Sequence, residues 1–326
     1  MALKVGILGA GRIAEKLAKT FYILPEVQLV AVGARDLRRA QDFALRHGIG
    51  QAYGSYEELA ADPDVELIYI ATPHSCHLEQ MMLCLRSGKH ILCEKPFTCT
   101  AKEAEQVIAE ARKRNLFVAE AMWTRYMPMA KQLASIRESC PVGEIMGLTA
   151  NLAYPVYGKK ERLRLPELGG GALLDIGIYP LTFAFIILGD NIEEVYSHAV
   201  LSDTGVDTQN AVILQYAGGK TAVLTSSALA HSDRRGVIFC RDGYIEVENI
   251  NNFESISVFD NNHGLLQRVD RPKQQTGYEY EVLATARAVA QGALECEEMP
   301  IADTLKMMRL LDQIRHQWNF WFPWER

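Results

Sequence analysis

Apolar residues in the first third of the chain gather in short unbroken runs, and the stretches between them place apolar positions at helical spacing. The runs are 3–8 (LKVGIL), 27–34 (VQLVAVGA), 65–72 (VELIYIAT), 89–94 (KHILCE) and 116–122 (LFVAEAM). Their length and their Val, Ile and Leu content predict strands buried on both faces. Segment 36–48 between them is amphipathic and stops at Gly48, and 75–88 stops in the same way at Gly88. Segment 100–115 opens on Thr100 with Glu103 one turn further, the pairing of a capping box. Strands alternating with helices of this length predict right-handed βαβ units around a parallel sheet.

The pattern changes past residue 122. Apolar and polar positions alternate in longer stretches such as 143–154, and two segments read as hairpins. One, 210–229, turns at Ala217-Gly218-Gly219-Lys220, and the other, 236–249, turns at Asp242-Gly243. Helices are predicted near 172–188, 278–293 and 302–317. The fold class is therefore α/β with two domains: a doubly wound parallel sheet over 1–121, and an α+β domain with a mainly antiparallel sheet over 122–326.

Composition narrows the setting. The 326 residues are 48% hydrophobic and 23% charged, an ordinary globular balance. With 34 basic against 40 acidic residues the net charge is -6, which excludes a general nucleic-acid binder. The chain enters a predicted strand almost at once, with no signal-peptide pattern before it. The most apolar run, 181–189, is shorter than a membrane span needs. Seven scattered cysteines, without a Cys-x-x-Cys pair, read as reduced thiols and argue against structural zinc. A cytoplasmic protein without membrane or nucleic-acid partners is expected. The aromatic tail, 318–326, is expected to pack on the core or on a partner subunit.

The first run leads into Gly9-Ala10-Gly11-Arg12-Ile13-Ala14, a G-x-G-x-x-A sequence between a predicted strand and a predicted helix. In that context the motif binds a dinucleotide. Gly9 allows the tight turn, Gly11 lets the pyrophosphate approach the backbone, and Ala14 lets helix pack on sheet. The helix N-terminus then offers free N–H groups to the phosphates. An NAD site usually carries an acid at the end of the second strand, but here Gly33-Ala34 stand there, followed by Arg35, with Arg38 and Arg39 one turn on. Guanidinium groups suit a 2′-phosphate, so NADP is expected rather than NAD. Asp36 leaves the alternative open, since a small shift in register would put it on the ribose.

The fourth run delivers Glu94-Lys95-Pro96 to the carboxyl end of a parallel strand, where doubly wound sheets bind ligands. The preceding strand ends in 71–77 (ATPHSCH), which puts Thr72, Pro73 and His77 near the cofactor's ribose and nicotinamide. His74 and His77 have metal-like spacing, but no acid or cysteine cluster accompanies them, so no metal is expected. In the second half, 167–181 (ELGGGALLDIGIYPL) leads from a glycine triplet into a helix with Asp175 and Tyr179 on one face.

Taken together, GILGAGRIA, IATPHSCH, CEKP and GGGALLDIGIYP are similar to the motifs of the glucose–fructose oxidoreductase/inositol dehydrogenase (Gfo/Idh/MocA) family. They occur in that family's order and run to about residue 181. The resemblance implies a Rossmann domain followed by an open-faced, mainly antiparallel sheet domain that often mediates oligomerisation, here as a dimer or tetramer. GGGALLDIGIY with 120–126 (EAMWTRY) is most similar to the dimeric dihydrodiol dehydrogenases and NADP-dependent D-xylose 1-dehydrogenases. That subgroup implies Lys95 and Tyr179 as the catalytic pair, Asp175 against substrate or catalytic groups, and a cis Lys95-Pro96 bond. Glu94 and Lys95 join Gly9–Ile13 (Ala10 and Arg12 included), Arg35, Arg39, Thr72, Pro73 and His77 as cofactor-binding residues.

The chemistry agrees with this assignment. An alcohol must lose its O–H proton as hydride leaves carbon, and a tyrosine of pKa about 10 is a poor base near neutral pH. A nearby ammonium favours the phenolate and stabilises developing alkoxide charge. Tyr179 is then the acid/base and Lys95 its electrostatic partner, although the two roles are exchangeable. Trp123, Arg125, Tyr126 and Tyr154 are candidates for the substrate pocket, with packing the alternative for Trp123 and Tyr126. The reading is an NADP-dependent oxidoreductase acting on a small sugar, cyclic polyol or dihydrodiol. A non-catalytic NADP-binding regulator, or an enzyme recycling tightly held NAD(P) within one turnover, stands as the alternative.

Overall fold

The structure is a computed structural model and describes residues 2–325. The first 126 residues follow the predicted alternation, with a short strand and a short helix that the pattern did not predict. In chain order they form β1 (Leu3–Leu8), α1 (Arg12–Tyr22), β2 (Val27–Gly33), α2 (Leu37–His47), β3 (Gln51–Tyr53), α3 (Tyr56–Ala61), β4 (Leu67–Ile70), α4 (His77–Arg86), β5 (His90–Glu94), α5 (Ala101–Arg114), β6 (Val118–Ala121) and the short α6 (Trp123–Tyr126). The six strands lie in the order β3-β2-β1-β4-β5-β6, and each neighbouring pair is parallel. The order reverses between β1 and β4, so the ligand crevice of a doubly wound sheet opens at their carboxyl ends. Strands β4 and β6 are buried along their whole length, β4 as a continuous apolar run and β6 with one acid, Glu120, inside it. The capping box at α5 is formed: Thr100 Oγ accepts from Glu103 N at 3.2 Å and Glu103 accepts from Thr100 N at 3.1 Å.

The chain continues through α7 (Pro128–Glu138), β7 (Ile145–Ala153), α8 (Ile178–Leu188), β8 (Ile192–Leu201), β9 (Asp207–Tyr216), β10 (Thr221–Ser227), β11 (Gly236–Cys240), β12 (Gly243–Glu248), β13 (Ser255–Asp260), β14 (Leu265–Asp270), α9 (Glu279–Ala290) and α10 (Ile301–Gln317). Both hairpins form, β9–β10 through Ala217–Gly219 and β11–β12 with Cys240 opposite Gly243. The eight-stranded sheet runs β14-β13-β12-β11-β7-β10-β9-β8, antiparallel except for the pair β7–β10. Helix α8 packs on β7 and β10 and leaves the other face of the sheet open. On that face one row passes through Tyr196, Ile213, Val223 and Thr149, and the first three are exposed apolar side chains.

A single cut after residue 121 does not describe the compact units. One unit comprises the chain up to Tyr126 together with Gln274–Met308; the other comprises Met127–Lys273 and the residues from Arg309 on. Residues 274–308 return to the first unit because their side chains complete its packing. Tyr278 stacks on Trp123 with ring centroids 4.5 Å apart, Thr276 hydrogen-bonds Thr20 at 2.9 Å, and Thr304 donates to Glu120 at 2.9 Å.

The apolar stretch around α8 is also longer than 181–189. Helical turns from Pro166 to Leu188 make 23 residues, long and apolar enough to cross a membrane by length and composition, but 94% of its apolar 18-residue stretch is buried inside the protein. It is the core helix of the second unit. The aromatic tail packs on its own unit. Arg315, only 1% exposed, bonds Glu325 at 2.9 Å and Asp312 at 2.6 Å and lies 4.5 Å from the Phe322 ring, while Trp321 stacks on His316.

Candidate active site

The turn between β1 and α1 is built for a ligand that the polypeptide itself does not replace. Gly9 has φ +104°, and a Cβ there would meet Ala71 O and Thr72 Cγ2 at 3.0 Å, so the protein's own packing requires glycine. Gly11 is different. A Cβ there would meet only Ala71 O, at an ordinary 3.8 Å. The open space over Gly11 fits a pyrophosphate lying on the backbone, and Gly11 is the N-cap of α1 with no side chain answering the first N–H groups. Ala14 is fully buried against the sheet, while Ala10 and Ile13 are half-buried and Arg12 is exposed at the mouth.

Beyond the end of β2, Asp36 is the N-cap of α2 and accepts from Arg39 N at 2.9 Å. One of its carboxylate oxygens thereby caps the start of α2. Arg39 NH2 donates to Ala10 O at 3.1 Å, which ties its guanidinium to the glycine turn. Arg35 is exposed beside it, and both guanidinium groups act on the Tyr56 hydroxyl, whose pKa is raised chiefly by burial. Two guanidinium groups therefore stand just past the end of β2.

Three loops meet at the carboxyl ends of β4, β5 and β6. His77 is wholly buried, with Nε2 3.1 Å from Thr72 O and Nδ1 3.0 Å from Pro96 O. It clasps the loop after β4 to the loop after β5. Thr72 Oγ1 hydrogen-bonds Gln80, and Pro73 is half-buried beside it. Lys95 is half-buried and the Lys95-Pro96 bond is cis. Glu94 accepts a hydrogen bond from Tyr69 OH. Near it, Glu281 is pushed far above the usual carboxylate range by burial and then by the Glu94 charge.

Glu120 went unrecognised among the sequence candidates. It is 1% exposed, and its two oxygens accept from Phe97 N at 3.1 Å and Thr304 Oγ at 2.9 Å, which fixes the loop just past Lys95-Pro96. Burial pushes its pKa up to about 7, against the pull of those hydrogen bonds and of the Lys95 and Arg125 charges. The signal was an acid inside an otherwise apolar buried strand, VAEA.

In the second unit a π-helical turn, Leu173–Gly177, leads into α8 and carries Asp175, with Tyr179 at the start of α8. Asp175 is 6% exposed and pairs with Arg162 at 2.7 Å and Lys160 at 3.3 Å. Tyr179 is 9% exposed. The turn is held by buried Asp207, which accepts from Leu173 N at 2.9 Å and Asn210 Nδ2 at 2.8 Å. Gly171 has φ +111°, and a Cβ there would strike Asp207 Oδ1 at 2.4 Å, so the last glycine of the triplet makes room for this carboxylate. Tyr154 OH receives Asn251 Nδ2 at 3.1 Å under the Arg234 guanidinium.

The remaining pocket candidates are engaged in their own unit. Trp123 is 8% exposed under Tyr278, Tyr126 OH donates to Glu120 O at 2.8 Å, and Arg125 forms an ion pair with Asp303 at 2.8 Å. The His74 and His77 rings lie 5.9 Å apart, and among the described residues no group of three or more His, Cys, Asp or Glu side chains could hold a metal ion.

Residues 3–122 match the profile of an oxidoreductase family with an NAD-binding Rossmann fold, and 131–246 match the GFO/IDH/MocA C-terminal domain. The trans-1,2-dihydrobenzene-1,2-diol dehydrogenase of Xenopus tropicalis is 35% identical over 99% of this chain and 100% of its own. This chain belongs to the Gfo/Idh/MocA family. The Homo sapiens protein of the same name is 34% identical over the whole of both chains. Among solved structures, a 3-ketoreductase from Actinomadura kijaniata in complex with NADP and TDP-benzene has a TM-score of 0.89 at 27% identity, covering 97% of this chain and 98% of its own. An aldose-aldose oxidoreductase from Caulobacter crescentus complexed with glycerol, with a TM-score of 0.86 at 21% identity over 97% of both chains, shares the fold. As a Gfo/Idh/MocA member with relatives named dehydrogenases, the chain is an NAD(P)-dependent dehydrogenase, similar to the dihydrodiol dehydrogenase subgroup.

Proposed function

We propose that this dehydrogenase uses NADP and transfers a hydride between the nicotinamide and a secondary alcohol or hemiacetal carbon of a sugar, cyclic polyol or dihydrodiol. The observation that carries the reading is the setting of Lys95. It leaves a buried parallel strand at the crevice, on a loop fixed by His77 on one side and by Glu120 on the other. A solvated surface lysine has no need of such a mount. The bound nicotinamide supplies the hydride acceptor or donor. Tyr179 takes the substrate hydroxyl proton, and the Lys95 ammonium favours the phenolate and stabilises the forming alkoxide. Asp175, held by Arg162 and Lys160, orients the substrate's polar groups. The names of the relatives favour a ring-bearing substrate, and the ketoreductase complex with NADP supports the cofactor.

The test is a panel of sugars, inositols and dihydrodiols scored by NADPH absorbance, with NAD run beside NADP. Turnover on none of the three classes sinks the substrate reading, and equal use of NAD sinks the cofactor reading. The same proposal includes a cytoplasmic setting and a homo-oligomer formed through the open sheet face. The exposed Tyr196, Ile213, Val223 and Phe239 on that face support the oligomer. A monomer in sedimentation equilibrium would remove it.

A further inference from the structure

We propose that Cys140 and Cys240 are a reversible oxidation site, a thiol pair that closes into a disulfide. Their sulfurs stand 3.4 Å apart although the residues are a hundred positions apart in sequence. Cys140 lies in the link between α7 and β7. Cys240 is the last residue of β11, at the turn into β12. Backbone bonds already lock the link against the turn, Arg241 N to Glu144 O at 2.9 Å and Asp242 N to Val142 O at 3.0 Å, and Arg241 forms an ion pair with Glu144. Bonding requires the sulfurs to close by roughly 1.4 Å, to the usual length near 2.05 Å, a movement that side-chain rotation supplies.

The pair is also reachable. Cys140 and Cys240 are half-buried, whereas Cys84, Cys93, Cys99 and Cys296 are buried. Cys140 lines a groove of about 280 Å³ together with Arg137, Gly143, Leu188 and Lys220, which admits a small oxidant. Burial, and then the Cys140 thiol, push the Cys240 pKa up to about 12, and Cys140, which lines the groove, is the sulfur that meets the oxidant. With a hydroperoxide as oxidant, the Cys140 thiolate attacks the peroxide oxygen, the O–O bond breaks, and a sulfenic acid and one water form. The Cys240 sulfur then attacks the Cys140 sulfur, and the expelled hydroxide leaves as a second water with the Cys240 proton. Two thiols and one hydrogen peroxide become one disulfide and two waters, and a dithiol reductant reverses the step. The closed loop contains Asp175, Tyr179 and Asp207, so the bond constrains the unfolded form of the segment that carries them.

The experiment treats the full-length chain with a small excess of hydrogen peroxide and maps its peptides by mass spectrometry without reduction. The expected product is a Cys140–Cys240 link with two hydrogens lost, a thermal midpoint raised by about 4 °C, and both changes undone by dithiothreitol. Cys140→Ser and Cys240→Ser each remove the link and the shift, and the midpoints of the reduced variants report whether they fold. Sulfinic acid at Cys140, links to other cysteines, or two unreacted thiols where Cys76 has reacted would each overturn the proposal. A link without any midpoint shift would overturn its constraining role.

Discussion

Replacing Glu120 by Gln tests the mount behind Lys95. The carboxyl is 1% exposed, and its pKa moves from 4.5 to about 7, chiefly through burial. The folded chain therefore holds the Glu120 proton over a window in which the unfolded chain has released it. With the folded pKa raised, stability falls as pH rises from about 4.5 to 7 and levels off above. Ionising Glu120 in the folded state is about 3 kcal/mol harder than in water, and most of that difference falls between pH 5 and 8. Glutamine keeps the shape: its oxygen accepts from Phe97 N and its amide donates to the Thr304 hydroxyl, which turns to receive it. The variant is expected to gain on the wild type by about 2 kcal/mol between those two pH values. Urea unfolding at a series of pH values, followed by tryptophan fluorescence, measures this difference, and the contributions of Asp207 and Glu281 cancel in it. Parallel stability profiles for the two proteins would refute the argument, because Glu120 would then be titrating as it does in solvent.

Lys95→Ala and Tyr179→Phe are each expected to lower turnover by at least about a hundredfold while NADP binding, read by calorimetry, is retained. Arg39→Ala is expected to weaken NADP by roughly tenfold to a hundredfold and NAD by much less, since only NADP offers a 2′-phosphate to the guanidinium while both cofactors share the glycine turn that Arg39 braces through Ala10 O; competitive titration with both cofactors checks this. Arg315→Met removes the buried partner of Glu325 and Asp312 and is expected to destabilise the second unit by about 3 kcal/mol, seen as a lower urea midpoint with unchanged slope.

Much of the first unit was readable in the sequence because its strands are short, buried on both faces and separated by capped helices. Thr100, Glu103, Gly48 and the glycine turn each state a local backbone requirement, and local requirements survive in sequence. The three-residue strand β3 and the six-residue α3 carry too few positions for periodicity to register. The return of residues 274–308 left no local mark, since Tyr278 and Thr304 identify their partners Trp123 and Glu120 only once the chain is folded. The same holds within the candidate site. Lys95 and Tyr179 stand in motifs, whereas Glu120, Asp207 and the Arg162–Lys160 pair on Asp175 act through contacts made at a distance along the chain. Asp36 shows the limit of motif reading: its distance from the glycines allows a ribose contact, and its use as the cap of α2 is visible only in the folded chain.

The divided first unit bears on how the chain comes off the ribosome. When residue 126 has been made, the parallel sheet is complete in strands but Trp123 lacks Tyr278 to cover it, and Glu120 lacks the Thr304 hydroxyl. Those partners arrive only after the whole of the eight-stranded sheet has been synthesised. The nascent nucleotide-binding half must wait, partly open, for nearly the full length of the polypeptide. A fragment ending at residue 126 is accordingly a poor stand-in for the cofactor domain, and one that restores 274–308 through a short linker is the better unit to express.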